Sequence, residues 1–139
     1  MNTNDLILEL GSWGQWIRPE QIGKFDIYLN TMLRRNRVLF VESEEGLQAL
    51  IFYFLIDDKR FVNKPTWAAP EDTENGAIFF VDKMFCRKWT KSVRFAIQDQ
   101  VEAKYPAVRE ALWLRSPKNR HVILKRREPI YGLQDTMVR

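Results

Sequence analysis

The sequence predicts an α/β (α+β) fold, a single domain in which helices flank a mixed, mostly antiparallel sheet. The length of 139 residues suits one domain. An apolar content of 45% with 13% aromatic residues can bury roughly 70% of the unfolded surface, which excludes a disordered or low-complexity chain. Segments with helical periodicity alternate with short apolar runs, as in proteins that mix helices and strands.

The first part of the chain predicts a helix followed by a hairpin. Apolar residues recur at helical spacing behind a proline and a glutamate, so we place a helix over residues 19–35. Residues 38–41 are β-prone, and residues 42–46 are expected to form a turn. Residues 47–56 are nearly all apolar, which is typical of a strand covered on both faces. The two strands are expected to pair antiparallel.

The second part of the chain predicts strand, helix, strand, short helix and strand after a long polar loop at residues 57–75. These elements are placed at residues 77–85, 92–105, 111–115, 116–120 and 121–126. Thr90 or Ser92 is expected to cap the long helix. Its predicted apolar face comprises Val93, Ala96, Ile97, Val101 and Tyr105. We expect a single domain over residues 1–139, with its core over about 17–127 and a tail at 128–139.

Several classes of protein and site are excluded or disfavoured by the sequence. The longest apolar run stops at Asp57, short of the ~18 residues that a membrane helix needs. Asp5 and Glu9 make the N-terminus unlike a signal peptide, so we expect a reducing cytoplasm. Cys86 is the only cysteine and His121 the only histidine, which excludes an internal disulfide and argues against a metal site.

The net charge of +4 is unevenly distributed. Residues 1–86 carry 9 Lys/Arg and 13 Asp/Glu, a balance of −4. Residues 87–139 carry 13 Lys/Arg and 5 Asp/Glu, a balance of +8. A basic half of this kind suits a polyanion, which can be a nucleic acid, a phosphorylated cofactor or an acidic protein surface.

The junction between the strand at 77–85 and the following helix concentrates cations. Arg87, Lys88 and Lys91 surround the expected helix start. A helix N-terminus offers backbone N–H groups and a positive dipole end to an anion, and nearby cations strengthen that site. Solvated charges beside an ordinary cap are the alternative.

The order and spacing of these elements over about residues 17–127 resemble the GNAT N-acetyltransferase superfamily. The loop of that family carries Gln or Arg, two spacers and Gly-x-Gly or Gly-x-Ala. Here Arg87 is kept, while Thr90 and Ser92 stand where glycines are usual. The resemblance implies a protein or small-amine acyltransferase that uses acetyl-CoA or another acyl-CoA. The donor-binding residues would be Arg87, Lys88, Thr90, Lys91 and Ser92.

Catalytic residues follow from the same resemblance. Such enzymes use a carboxylate as general base and a Tyr or Ser as general acid. Asp82, on the central strand, is the implied base, and Ser116 or Tyr131 is the implied acid. A carboxylate on a strand can also be an ordinary surface residue.

A second basic set predicts a different class of function, a non-catalytic protein that contacts nucleic acid or an acidic partner. Cations interleaved with aromatic residues can follow a phosphate backbone, although they can also be the solvated ends of a buried strand. A small, aromatic-rich chain of this kind also suits a phage protein. The set comprises Arg115, Lys118, Arg120, Lys125, Arg126 and Arg127, beside Trp113 and Tyr131.

Three further side chains have alternative roles. Cys86 follows an apolar strand and is expected to be buried, although the neighbouring cations would lower the pKa of an exposed thiol. Trp13 and Trp16 are expected to cover the core, with docking of a partner as the alternative.

Overall fold

The fold combines three helices with one mixed sheet. The computed structural model describes residues 2–57, 72–115 and 120–125, with the backbone alone for 113–115 and 120–125. The elements are α1 (Thr3–Ser12), a 3₁₀ turn (Pro19–Gln21), α2 (Ile22–Arg34), β1 (Val38–Ser43), β2 (Gly46–Ile56), β3 (Ile78–Cys86), α3 (Lys91–Lys104), β4 (Glu110–Arg115) and β5 (Arg120–Lys125).

The five strands follow the chain order β1-β2-β3-β4-β5. β1 pairs antiparallel with β2, β3 pairs parallel with β4, and β4 pairs antiparallel with β5. Parallel strands need a crossover connection, whereas antiparallel strands can be linked by a tight turn. In the chain, α3 provides the crossover between the parallel strands β3 and β4. This arrangement confirms the predicted α+β class with a mixed sheet.

The chain divides into two compact units. The first comprises Met1–Tyr53 and Lys83–Val93, and the second comprises Phe54–Asp82 and Arg94–Arg139. β2, β3 and α3 each contribute residues to both units.

The first unit begins with α1, a helix that is absent from the predicted elements. The Asn2 side chain caps it by accepting a hydrogen bond of 2.8 Å from the Asp5 backbone N–H. Leu6 and Leu10, one turn apart, are buried. Three consecutive apolar residues at positions 6–8 obscure this period in the sequence.

α2 is the predicted first helix, with a later start. Residues 19–21 form the 3₁₀ turn, so the α-helix covers Ile22–Arg34 rather than 19–35. The spacing predicts a buried face of Ile22, Phe25, Leu29 and either Met32 or Leu33. Phe25, Leu29 and Met32 are buried, whereas Ile22 is half-buried and Leu33 is exposed.

β1 and β2 form the predicted hairpin with a shorter turn than expected. Pairing extends to Ser43 opposite Gly46, so the turn is not the predicted 42–46 but residues 44 and 45. Gly46 has φ +105°, a backbone conformation that favours glycine. Residues 49–56 are all buried, which confirms the prediction of a strand covered on both faces.

In the second unit, hydrogen bonds hold residues 72–77 against the end of β2. The Leu55 N–H donates to the Asp72 carboxylate at 2.8 Å, and the Thr73 N–H donates to the Leu55 carbonyl at 2.8 Å. The Ala77 N–H donates to the Asp57 carboxylate at 3.3 Å. β3 therefore starts at Ile78, one residue later than predicted.

The remaining elements shift by one residue from their predicted bounds. α3 spans Lys91–Lys104, β4 starts at Glu110, and β5 spans Arg120–Lys125. On the predicted apolar face of α3, Val93 and Val101 are buried. The other members of that face, Ala96, Ile97 and Tyr105, are half-buried.

Some predictions fall outside the described residues. They concern most of the loop 57–75, the short helix at 116–120 except its last residue, and the tail at 128–139. Within the described ranges, no helix is long and apolar enough to cross a membrane.

Candidate functional site

The junction between β3 and α3 is held in place by two hydrogen bonds, one accepted by a backbone carbonyl and one by a side-chain hydroxyl. The Arg87 N–H donates to the Gln48 carbonyl of β2 at 2.9 Å. The Val93 N–H donates to the Thr90 hydroxyl oxygen at 3.1 Å, so Thr90, and not Ser92, caps α3. The first of these bonds ties the chain to the sheet where β3 ends, and the second fixes the start of the helix.

The cations of the junction are on the surface. Arg87, Lys88 and Lys91 are exposed, as is Ser92, while Thr90 is half-buried. The structure thus places all five predicted donor-binding residues within six consecutive positions that begin directly after β3. Their arrangement provides positive charge, hydroxyl groups and a helix N-terminus at one place.

Two more cations extend this basic segment beyond the residues predicted for it. Lys83 lies on β3 with its Nζ 5.7 Å from the centroid of the Tyr28 ring, and Arg94 is exposed in the first turn of α3. Residues 83–98 contain five Lys/Arg and no Asp/Glu. This run of positive charge without an acidic residue is the sequence pattern from which Lys83 and Arg94 could have been predicted.

An aromatic cluster supports the junction from within the first unit. The ring of Phe85, the next-to-last residue of β3, packs edge-to-face with the rings of Phe25 of α2 and Phe52 of β2. The ring centroids are 6.2 Å and 6.3 Å apart, respectively. Phe25 and Phe52 are buried. Edge-to-face pairs of this kind add to the stability that burial provides, so these contacts stabilise the position of the end of β3.

Cys86 is the last residue of β3 and is half-buried. Burial raises the pKa of its thiol above the ordinary value, although a hydrogen bond from the Lys88 backbone N–H acts in the opposite direction. The thiol is therefore protonated at neutral pH. This favours a packing role over an activated nucleophile.

Asp82 is exposed on β3. The parallel pairing of β3 and β4 runs from Ile78 opposite Glu110 to Val81 opposite Trp113. Asp82 is thus the first β3 residue beyond that paired segment. The implied general acids Ser116 and Tyr131 lie outside the described residues.

The second basic set is described in part. Arg115 and Arg120 are opposite each other in the β4–β5 ladder, and Lys125 is opposite Glu110. Lys118, Arg126 and Arg127 lie outside the described residues.

The two N-terminal tryptophans differ in burial. Trp13 is half-buried. Trp16 is 70% exposed, so the prediction that it covers the core is wrong. Its ring lies against Gly11, where a Cβ would come within 2.4 Å of a ring atom.

No arrangement of three or more His, Cys, Asp or Glu side chains suited to a metal occurs in the part of the chain that the structure describes. In comparisons with known proteins, no family model, curated protein or solved structure matches this chain. The GNAT resemblance therefore stays a prediction, based on the order of elements and on the residues of the junction.

Proposed function

We propose that this protein is an acyl-CoA-dependent N-acyltransferase that holds the phosphates of the donor at the β3–α3 junction. One observation carries the proposal: β3 runs parallel to β4, and directly beyond its carboxyl end stand the exposed cations and capped start of α3. In sheets with parallel strands, ligands bind outside the carboxyl ends of those strands.

The junction residues have the chemistry that a diphosphate requires. Arg87 can bind phosphate oxygens with two parallel N–H groups, and Lys88 and Lys91 add point charges. The Thr90 oxygen accepts the Val93 N–H, which leaves its hydroxyl proton available to donate to an anion. Thr90 and Ser92 would in this way contribute hydroxyl donors where the family usually has glycines.

Asp82 is proposed as the general base of the reaction. The acyl-CoA supplies an activated thioester. Asp82 would accept the proton of the acceptor amine as the new amide bond forms, and the departing thiolate would be protonated by Ser116 or Tyr131. The exposure of Asp82 allows an amine substrate to reach it.

The binding part of the proposal is tested by calorimetric titration with acetyl-CoA and by thermal shift. We expect wild-type protein to bind, and a variant with Arg87, Lys88 and Lys91 changed to Ala to lose binding while keeping its melting temperature, because exposed charges contribute little stability. The matched control changes Arg18, Lys104 and Arg109 to Ala, which removes the same charge elsewhere and should leave binding intact. Wild-type affinity in the junction variant would contradict the proposed site.

The catalytic part is tested by acyl transfer from acetyl-CoA to a panel of amines and peptides. Asp82→Asn should abolish transfer while acetyl-CoA binding is unchanged, because the amide keeps the shape of the side chain and loses its basicity. Transfer at the wild-type rate by Asp82→Asn would show that another group is the base.

A second candidate function is binding of nucleic acid or an acidic protein without catalysis. It is favoured by the register that places Arg115 opposite Arg120, and by the 49% exposure of Trp89 within the basic segment. Reversing Arg115, Lys118 and Arg120 to Glu should then weaken binding of single-stranded RNA and lower the slope of log affinity against log salt by about 0.7 per lost contact. An unchanged slope would contradict this candidate.

A further inference from the structure

The outer surfaces of α1 and α2 carry large apolar side chains exposed to solvent. Leu8 of α1 is 68% exposed and Ile27 of α2 is 69% exposed. The two helices belong to the first unit and are joined by a hydrogen bond from the Thr3 hydroxyl to the Asp26 carboxylate. A single exposed apolar side chain is ordinary on a protein surface, so the charges and the aromatic ring around each of these residues decide whether it belongs to an interaction surface.

Trp16 enlarges the apolar part of the α1 surface. Its 70% exposed indole lies against Gly11, and Gly11 is three residues from Leu8, on the next turn of the same helix face. Leu8 thus lies one helical turn before the glycine against which the Trp16 ring rests. Tryptophan is enriched among the residues that dominate the binding energy of protein interfaces.

Acidic residues flank the apolar centre of the α1 surface. Asp5, Leu8, Glu9 and Ser12 follow the i, i+3, i+4 and i+7 spacing of one helix face. Asp5 is exposed and Glu9 is half-buried. α1 contains no Lys or Arg, so this surface has an apolar centre with negative charge around it.

α2 has the opposite charge around its own apolar centre. Lys24, Ile27 and Arg34 share one face of the helix, and all three are exposed. The one acidic residue of α2, Asp26, accepts hydrogen bonds from Thr3 and Asn30 and is half-buried. The outward surface of α2 therefore combines Ile27 with positive charge.

We propose that these surfaces form a symmetric homodimer, in which α1 of one chain packs against α2 of a second copy. Each chain carries both complementary surfaces, so a two-fold axis makes the acidic-to-basic and apolar-to-apolar contacts twice. This charge complementarity within a single unit is what selects a second copy as the partner. The proposal does not depend on the proposed enzymatic function.

The experiment is a charge-swap cycle read by sedimentation equilibrium at low salt. The wild-type chain should sediment at twice its 16.6 kDa mass at micromolar concentration. Glu9→Lys and Lys24→Glu should each weaken dimerisation by about tenfold or more, because each places like charges together in both halves of the interface. The double variant, with the charges exchanged, should recover the wild-type dimer.

These substitutions are expected to leave the fold intact, so that a lower mass in sedimentation reports loss of the dimer and not unfolding. A lysine at position 9 lies toward the C-terminus of α1 and a glutamate at position 24 lies in the first turn of α2, so both new charges suit the helix dipole. Circular dichroism should be unchanged in all variants. The control Glu44→Lys reverses an exposed charge in the hairpin turn and should stay dimeric.

Three results would overturn the proposal. A monomeric wild-type chain at all concentrations would exclude the dimer. Single reversals that remain fully dimeric would place the interface elsewhere. A double variant that stays monomeric would contradict the pairing of α1 with α2.

Discussion

Gly76 is the position where a single added carbon atom has the most predictable effect on stability. It is a buried residue between the exposed turn at 74–75 and β3. A Cβ at this position would be 2.7 Å from the Ile56 nitrogen, 2.8 Å from the Leu55 carbonyl carbon and 2.9 Å from the Ile56 oxygen. All three are backbone atoms of β2. A flexible side chain can rotate away from such a contact, but a paired strand cannot.

The size of the effect follows from these distances. Ordinary contacts of a Cβ begin near 3.4 Å, so the closest atom must move by roughly 0.7 Å. A movement of that size would lengthen the hydrogen bonds that the Thr73 N–H and hydroxyl donate to the Leu55 carbonyl. Overpacking typically costs about 1–3 kcal/mol, and we expect Gly76→Ala to lie near 3 kcal/mol because the contact is with backbone.

Urea unfolding of Gly76→Ala, followed by circular dichroism, measures this cost directly. Gly23→Ala is the matched control, since nothing lies within 4 Å of a Cβ at position 23 in α2. There alanine should stabilise the protein by about 0.5–1 kcal/mol, because it is the better helix former. A Gly76→Ala variant as stable as wild type would refute the steric reasoning.

Three other predictions concern the junction and α3. Thr90→Ala should destabilise the protein by about 1 kcal/mol in urea unfolding, and Thr90→Ser should not, because serine keeps the capping oxygen. Burial raises the pKa of Cys86, so the folded protein binds the thiol proton more tightly than the unfolded chain. The resulting stability is present below the ordinary thiol pKa and lost as pH rises through the raised value, and Cys86→Ala should remove that alkaline loss in melting curves. Val101→Asp should lower the melting temperature more than Ile97→Asp, because Val101 is 7% exposed whereas Ile97 is half-buried.

Features that depend on local periodicity and on residue chemistry could be predicted from the amino-acid sequence alone. The spacing of Phe25, Leu29 and Met32 predicted α2, and the continuous apolar run predicted β2 as a strand buried on both faces. The cations at 87, 88 and 91 beside a hydroxyl cap at position 90 or 92 were evident as well. These features need only the 3.6-residue period of a helix, the composition of a buried strand and the preference of caps for hydroxyl groups.

The burial of individual side chains depends on how the elements pack in the folded chain. Arg37 is 8% exposed and stands over the Tyr53 ring at 5.9 Å, whereas Trp16 is on the surface. Composition alone suggests the reverse, since arginine is usually exposed and tryptophan usually buried. Likewise, the contact of Lys83 with Tyr28 joins residues 55 positions apart. Burial and such long-range contacts depend on which elements pack together, and local sequence patterns do not contain that information.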